Sequence, residues 1–354
     1  MLSAPLRRIV YRRAFLIVFA IFWQVVLPLQ AGDFLNIQRR ITEILDQYEG
    51  GVVRVKAAVE EPNDSGEVIV TQRVGTGFLI SEEGHVLTNA SVAYEVDRIW
   101  IELDGLSYAA DHLGSDPETN VSLLKLMVLP ERFSYFRVPP DPEAPTLGTL
   151  ALAITCPLEF GPSPRFGMVA GHESEFSGRI FPVPYTRVDI PAHPGEGGSP
   201  VLDLNGRLIG MIVASLPEVQ SSYLLPVRAL IHIRDDLLFS GEVKYGWLGI
   251  EVEERVEREH GRYVVVTSVV ERAPVGEERI REGDKLIAMG AVRIRSRDDV
   301  QNARFFYRIG EYVDITLERD GEQIQFPVKV VERPVPLTTG LDSEDAADDL
   351  LTPR

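Results

Sequence analysis

Residues 194–200 read Pro194-Gly195-Glu196-Gly197-Gly198-Ser199-Pro200, and the rest of the chain is organised around them. They follow the apolar stretch ending in Val188-Asp189-Ile190 and lead into Val201-Leu202. The turn signal Asn205-Gly206 then opens a second apolar run, Leu208-Ile209-Gly210-Met211-Ile212-Val213. A glycine-rich turn between two strands can aim several backbone N–H groups at one point, which is how a pocket for a negatively charged oxygen is built. The middle of the turn carries no side chain, and Ser199 is the only hydroxyl nearby.

Outward from this turn the pattern is short strands and tight turns. Gly75–Ile80 and His85–Asn89 flank the turn Glu82-Glu83-Gly84, Arg98–Leu103 alternates before Asp104-Gly105, and Val121–Leu126 alternates again. Many short strands with Gly, Pro and Asp-Gly turns predict a barrel or sandwich, and residues 52–238 match the length of two six-stranded barrels. Before them, Ile37, Ile41, Ile44, Leu45 and Tyr48 recur at helical spacing until Gly50-Gly51, so an amphipathic helix is expected within 32–51. Phe239-Ser240-Gly241-Glu242 reads as a linker. A second unit over 244–332 has strand patterns near Leu248–Val252, Tyr263–Val270, Lys285–Met289, Tyr312–Glu318 and Ile324–Val330, with one helix over Asp298–Tyr307. Residues 333–354 are acidic and read as a disordered tail.

The formal charge is −17 over 354 residues. Such a surface repels nucleic acid, and no basic patch with interleaved aromatics offsets it. Residues 1–31 hold Arg7, Arg8, Arg12 and Arg13 ahead of an apolar run over 14–29, the pattern of a signal peptide. An uncleaved anchor over 14–29 is the alternative, the only membrane contact expected, and either places the chain outside the cytoplasm. Cys156 is the single cysteine, within the apolar run Leu150–Thr155, and reads as a core residue. The sequence has no metal-ligand spacing and no nucleotide-binding loop, so no metal or cofactor is expected.

Three segments together resemble the HtrA/Deg family of exported serine proteases: Gly75–Val92, Gly114–Leu126, and Asp189–Val201 with Asn205–Gly210. The resemblance implies a chymotrypsin-like double six-stranded β-barrel followed by one PDZ domain, an α+β unit. It also shows where this chain departs. In the family the first segment ends Thr-Asn-x-His-Val, and its His position is Ser91 here. The orienting Asp of the second segment is Asn120, and the serine of Pro-Gly-Asn-Ser-Gly-Gly-Pro is Gly197. A serine hydroxyl is a poor nucleophile without a base to take its proton. Loss of the triad costs about a millionfold in turnover. The resemblance thus implies no catalytic residue, with Gly195 and Gly197 left as oxyanion-hole-like donors. Ser199 is the weak alternative nucleophile, with His193 or His85 as its base. Glu196 reads as a solvated loop acid.

Tyr245-Gly246-Trp247-Leu248-Gly249-Ile250 resembles the carboxylate loop and first strand of an HtrA-type PDZ domain, as do Ser268–Val275 and Arg281–Ile287. Trp247, Leu248, Gly249 and Ile250 are the peptide-binding residues so implied, with Val300 and Arg304 expected to face the groove. A peptide adds to the sheet edge there and its carboxylate meets loop N–H groups. The resulting expectation is an exported, periplasmic or cell-envelope, non-catalytic protein that binds C-terminal peptides or unfolded polypeptides as chaperone, adaptor or regulator. The alternatives are an active endopeptidase with a displaced nucleophile and a regulatory subunit of an active protease. Family resemblance further implies a homo-trimer or a mixed trimer.

Overall fold

The computed structural model describes residues 35–62, 65, 67–139, 142–258, 261–270, 273–275 and 279–332. The expected signal or anchor segment and the acidic tail lie outside these residues. Among the described residues no helix is long and apolar enough to cross a membrane.

Helix α1 covers residues 35–48. Its apolar stripe buries Ile44 and packs Tyr48 face-on against Phe136, with ring centroids 4.6 Å apart. Two polar contacts seat it on the turn signalled by Asn205-Gly206: Arg40 Nε donates to Leu204 O at 3.1 Å and Tyr48 Oη to Gly206 O at 3.2 Å.

Strands β1 (Val52–Pro62), β2 (Val68–Leu79), β3 (His85–Thr88), β4 (Arg98–Leu103), β5 (Leu106–Asp116) and β6 (Val121–Leu126) close into a first barrel in the order β1-β2-β3-β6-β5-β4. Strands β7 (Leu150–Thr155), β8 (Ser163–Phe176), β9 (Arg179–Val188), β10 (Pro200–Asp203), β11 (Leu208–Leu216) and β12 (Ser221–Pro226) close a second, in the order β10-β11-β12-β9-β8-β7. Closure leaves no free edge in either sheet. The double six-stranded barrel expected from the sequence is thus the observed architecture. Cys156 is buried at the end of β7, and burial pushes its thiol up to about 12, so it is an inert core group.

Strand patterns were expected through residue 238, but Val227–Ser240 is a helix, α3, after the short helix α2 (Ala90–Ala93). Val227, Leu230, Ile233 and Leu237 are buried along one face of α3. Gly241 ends it in the left-handed conformation, φ +76°, as a C-terminal cap. The expected linker is therefore the last turn and cap of a helix.

The small unit has an antiparallel sheet with path order β14-β15-β16-β18-β19: β14 (Ile250–Glu257), β15 (Gly261–Val269), β16 (Lys285–Met289), β18 (Tyr312–Arg319) and β19 (Glu322–Lys329). β17 (Val292–Arg293) pairs with β16, and β13 (Gly246–Trp247) pairs with β20 (Val331–Glu332). Helix α4 (Arg297–Phe306) opens on a capping box in which Ser296 Oγ accepts from Asp299 N and Asp299 Oδ2 accepts from Ser296 N. Val300 and Ala303 pack into the small unit's own core, while Phe305 is buried in the core of the barrels. Further contacts join the units. Arg228 stacks on Phe306 at 4.1 Å, Arg308 Nη1 meets Asp236 Oδ1 at 2.8 Å, and Tyr245 Oη donates to Asp116 Oδ2.

Candidate functional site

The turn 194–199 lies at the seam between the barrels, and hydrogen bonds fix its peptide planes from Gly195 to Ser199. Gly195 O accepts from Thr76 Oγ1 at 2.8 Å, and Gly197 O accepts from Thr76 N at 2.9 Å. Glu196 N donates to His193 O and Gly198 N to Ile212 O. Alternate N–H groups are thus used inside the protein. The N–H groups of Gly195 and Gly197 meet no backbone acceptor among the described residues. Gly195 and Gly198 have φ of +86° and +88°. A Cβ on Gly195 would stand 2.7 Å from Leu158 N, and one on Gly198 would stand 2.1 Å from Thr76 O. Both positions therefore require glycine.

Glu196 is not the solvated acid expected. It is 0% exposed. Its Oε1 accepts from Arg165 Nε at 3.1 Å, from Arg165 Nη2 at 2.7 Å and from Thr155 Oγ1 at 3.1 Å, and its Oε2 accepts from His193 N at 2.8 Å. A buried carboxylate needs this many donors to offset its lost hydration. The side chain thereby ties the turn to β7 and β8.

Ser199 is also 0% exposed, and its hydroxyl donates to Glu196 O at 2.6 Å. Ser199 N approaches the same oxygen at 3.3 Å. Because a trans peptide places its N–H opposite its carbonyl, this holds the Gly197 N–H pointing away from the Ser199 side. The serine two residues past the family position thus acts on the turn's shape, and its hydrogen is already committed.

Ser91 lies in α2 and Asn120 ends the turn after β5, in the left-handed region at φ +60° that asparagine tolerates. Asn120 Oδ1 accepts from Ser91 N at 2.8 Å, and Asn120 Nδ2 donates to Val213 O of the second barrel at 2.8 Å. Ser91, Asn120 and the 194–199 turn therefore meet across one seam. Among the described residues no imidazole joins them. His193 is exposed, and His85 bonds Ser81 Oγ through Nδ1 at 2.8 Å. The other imidazole–hydroxyl pairs, His112 with Ser115 and His172 with Thr186, lie on strands of the barrel walls. Among the described residues no group of His, Cys, Asp and Glu could hold a metal ion.

Asn89 was missed in the sequence as a site residue. It is 4% exposed, its Oδ1 has no partner, and its Nδ2 lies 2.7 Å from where a Cβ on Gly197 would stand. The amide occupies the space beside the bare glycine.

In the small unit, Leu248 is buried in the core and Ile250 packs beside it at the start of β14, the edge strand. Trp247 is half-buried. Gly249 has φ +75°, and a Cβ there would stand 2.3 Å from Ala273 Cβ. Val300 is a core residue and Arg304 is exposed.

Comparison with known proteins matches a trypsin-like peptidase domain over residues 75–211 and a PDZ domain over residues 246–330. The chain is homologous to the DegP/HtrA serine endoproteases. A probable periplasmic serine endoprotease DegP-like of Chlamydia trachomatis is 26% identical over 274 residues, covering 73% of this chain and 54% of the relative. The DegP-like protein of Pseudomonas putida strain W619 is 27% identical over 298 residues, covering 78% of this chain and 60% of the relative. The chain thus spans between about half and three fifths of the length of these HtrA relatives. Among solved structures, the HtrA-type protease AlgW with tripeptide superimposes with a TM-score of 0.70 at 22% identity, covering 84% of this chain and 98% of that one. The serine endoprotease of Yersinia pestis gives 0.59 at 21% identity, covering 83% and 98%. These likenesses show that the fold is the HtrA fold.

Proposed function

We propose that this HtrA homologue is an exported pseudoprotease that binds peptides or unfolded polypeptides and does not cleave them. One observation supports the reading: the positions that the resemblance assigns to the triad are Ser91, Asn120 and Gly197, and the Asn120 amide there bonds the backbone Ser91 N and Val213 O rather than an imidazole. A proton leaving an alcohol there has no acceptor of suitable pKa. Ser199, buried and bonded to Glu196 O, does not act as a displaced nucleophile.

Peptide binding is assigned to the PDZ domain. β14 is an edge strand, Leu248 and Ile250 supply the apolar lining, and a peptide pairs with that edge by β-augmentation. Related HtrA proteases have been solved with a decapeptide and a tripeptide. The relatives' description as periplasmic supports a periplasmic site of action.

The test is labelling with a fluorophosphonate and digestion of an unfolded substrate by the purified chain, alongside titration with peptides ending in an apolar residue. The expected result is no label, no digestion and micromolar peptide binding. Stoichiometric labelling of any serine overturns the reading.

A further inference from the structure

We propose that the far end of the β1–β2 hairpin is a self-association site, at which β2 of one copy pairs antiparallel with β2 of a second copy about a two-fold axis between their Val70 residues. The site is separate from the seam and from the PDZ edge, and it holds whether or not the chain cleaves peptides.

β1 and β2 pair in unbroken register from Val52↔Phe78 to Pro62↔Val68. Other strands cover only part of that length: β4 pairs with Arg54–Ala58 of β1, and β3 with Gly77–Leu79 of β2. The two edges left over differ. On β1, Asp97 N donates to Ala58 O, Asp97 Oδ2 accepts from Glu60 N at 2.7 Å, and Pro62 has no N–H to offer. On β2, the backbone of Val68–Val74 pairs with β1 alone among the described residues. Proline, a bulge or a charged side chain is what normally stops such an edge from pairing, and Val68–Gln72 has none of them. Val68, Ile69 and Val70 are 63%, 51% and 60% exposed. Successive side chains alternate between faces, so apolar surface stands on both sides of the strand.

The sequence of the edge selects the occupant. Glu67-Val68-Ile69-Val70-Thr71-Gln72-Arg73 carries opposite charges at equal distances from Val70. Residues directly opposite each other in a sheet share a face, so two copies related by a two-fold axis must centre on a residue and not between two. Centred on Val70, the pairing sets Val70 against Val70, Ile69 against Thr71, Val68 against Gln72, and Glu67 against Arg73 of the partner subunit at both ends. Centred on Ile69, Glu67 meets Thr71, and centred on Thr71, Arg73 meets Ile69, so neither neighbouring register joins opposite charges. Directly opposed charges stabilise a strand pair when unlike and destabilise it when alike. Arg73 bonds a backbone carbonyl, Tyr94 O, at 2.9 Å, and among the described residues it meets no carboxylate. In a chain of charge −17, whose copies repel one another, this strip is the place where two copies attract. A foreign extended segment meets the same bare edge, but only a second copy is bound to match Glu67 and Arg73 at once. An overlap this short makes a small interface and a weak, concentration-dependent association.

The test is sedimentation velocity of the full chain across the micromolar range at low salt. The mass is expected at least to double as concentration rises, whatever the unit at the dilute end. Val70→Lys sets two ammonium groups face to face and is expected to abolish the increase. Glu67→Arg and Arg73→Glu each place like charges at both ends, and each alone is expected to weaken the pairing about ten-fold. An equimolar mixture of those two variants restores unlike charges at both ends and is expected to return to within about two-fold of wild type. The mixture also controls for the bond that Arg73→Glu loses to Tyr94 O. A wild type of constant mass, or an increase that survives Val70→Lys, overturns the proposal. An increase lost in Val70→Lys but equal in wild type, both charge variants and their mixture overturns it too, because the register would not be the one centred on Val70. Constant mass, with binding of an unfolded polypeptide lost in Val70→Lys, overturns it in favour of a foreign strand on the same edge.

Discussion

The hydroxyl of Ser199 donates to the carbonyl of Glu196 at 2.6 Å, with both side chains out of contact with solvent. A hydroxyl in this position sets the direction of a peptide plane.

Ser199→Ala should therefore cost stability and leave chemistry untouched. Removing a buried donor from a carbonyl costs about 1–3 kcal/mol. Urea unfolding is expected to show that loss, while fluorophosphonate labelling stays at background in both proteins. A label lost with Ser199 would identify it as a nucleophile after all.

Gly197→Ser alone should not create a protease. The new Cβ stands 2.7 Å from Asn89 Nδ2, so the amide must move before the hydroxyl fits. Once seated, the hydroxyl still has no base. Adding Ser91→His and Asn120→Asp introduces a second conflict, because the amide N–H that Asn120 gives to Val213 O becomes a carboxylate oxygen facing that carbonyl. The triple variant is expected to lose about 1–3 kcal/mol in urea unfolding and to digest an unfolded substrate no faster than wild type.

The barrel–PDZ contact should weaken in acid. Burial between α3 and α4 holds the His232 imidazole below its ordinary value, with Arg308 and Arg228 acting in the same direction and Asp236 and Asp235 opposing. Phe305 and Phe306 pack against the ring. With the folded value depressed, the neutral ring's contribution is complete above the unfolded value of ~6.5 and is lost as pH falls through the folded value. The thermal midpoint is expected to drop between about pH 7 and about pH 5. His232→Phe should flatten that dependence, and an unchanged slope would assign it elsewhere.

A second acid-sensitive pair lies within the PDZ domain. Burial acts to raise the Asp284 carboxyl, but two bonds from Arg319, each 2.7 Å, together with the Arg281 N–H at 2.8 Å and the charges of both arginines, hold it below its usual range. That stability is present above the ordinary value of ~3.9 and is lost as pH falls through the depressed one. Arg319→Ala leaves the carboxylate buried and short of its cation. It is expected to cost about 2–3 kcal/mol near neutral pH and to move the acid transition upward, read by circular dichroism.

The barrels were legible because each strand carries its own alternation and each turn its own Gly or Asp, signals confined to neighbouring residues. Helix α3 was not, because Val227–Ser240 follows β12 without a break and its apolar spacing starts inside a run that also suits a strand. The triad positions could be placed by resemblance, yet what holds them could not. Glu196 looked solvated because its partner Arg165 lies 31 residues away and only the closing of β7 on β8 brings it near. Asn89 stands in the matched Thr-Asn-x-His-Val segment, but that its amide lies against Gly197 depends on how the two barrels meet and on the side chain missing there.

Phe305 belongs to α4 by sequence but sits among the aromatic and aliphatic side chains of the barrels, only 3% exposed. Cutting the chain near residue 243 to make the C-terminal piece alone would bare that ring and strand Tyr245 without its acceptor. Such a fragment would self-associate, and an affinity measured on it would describe a sticky excised piece rather than the protein.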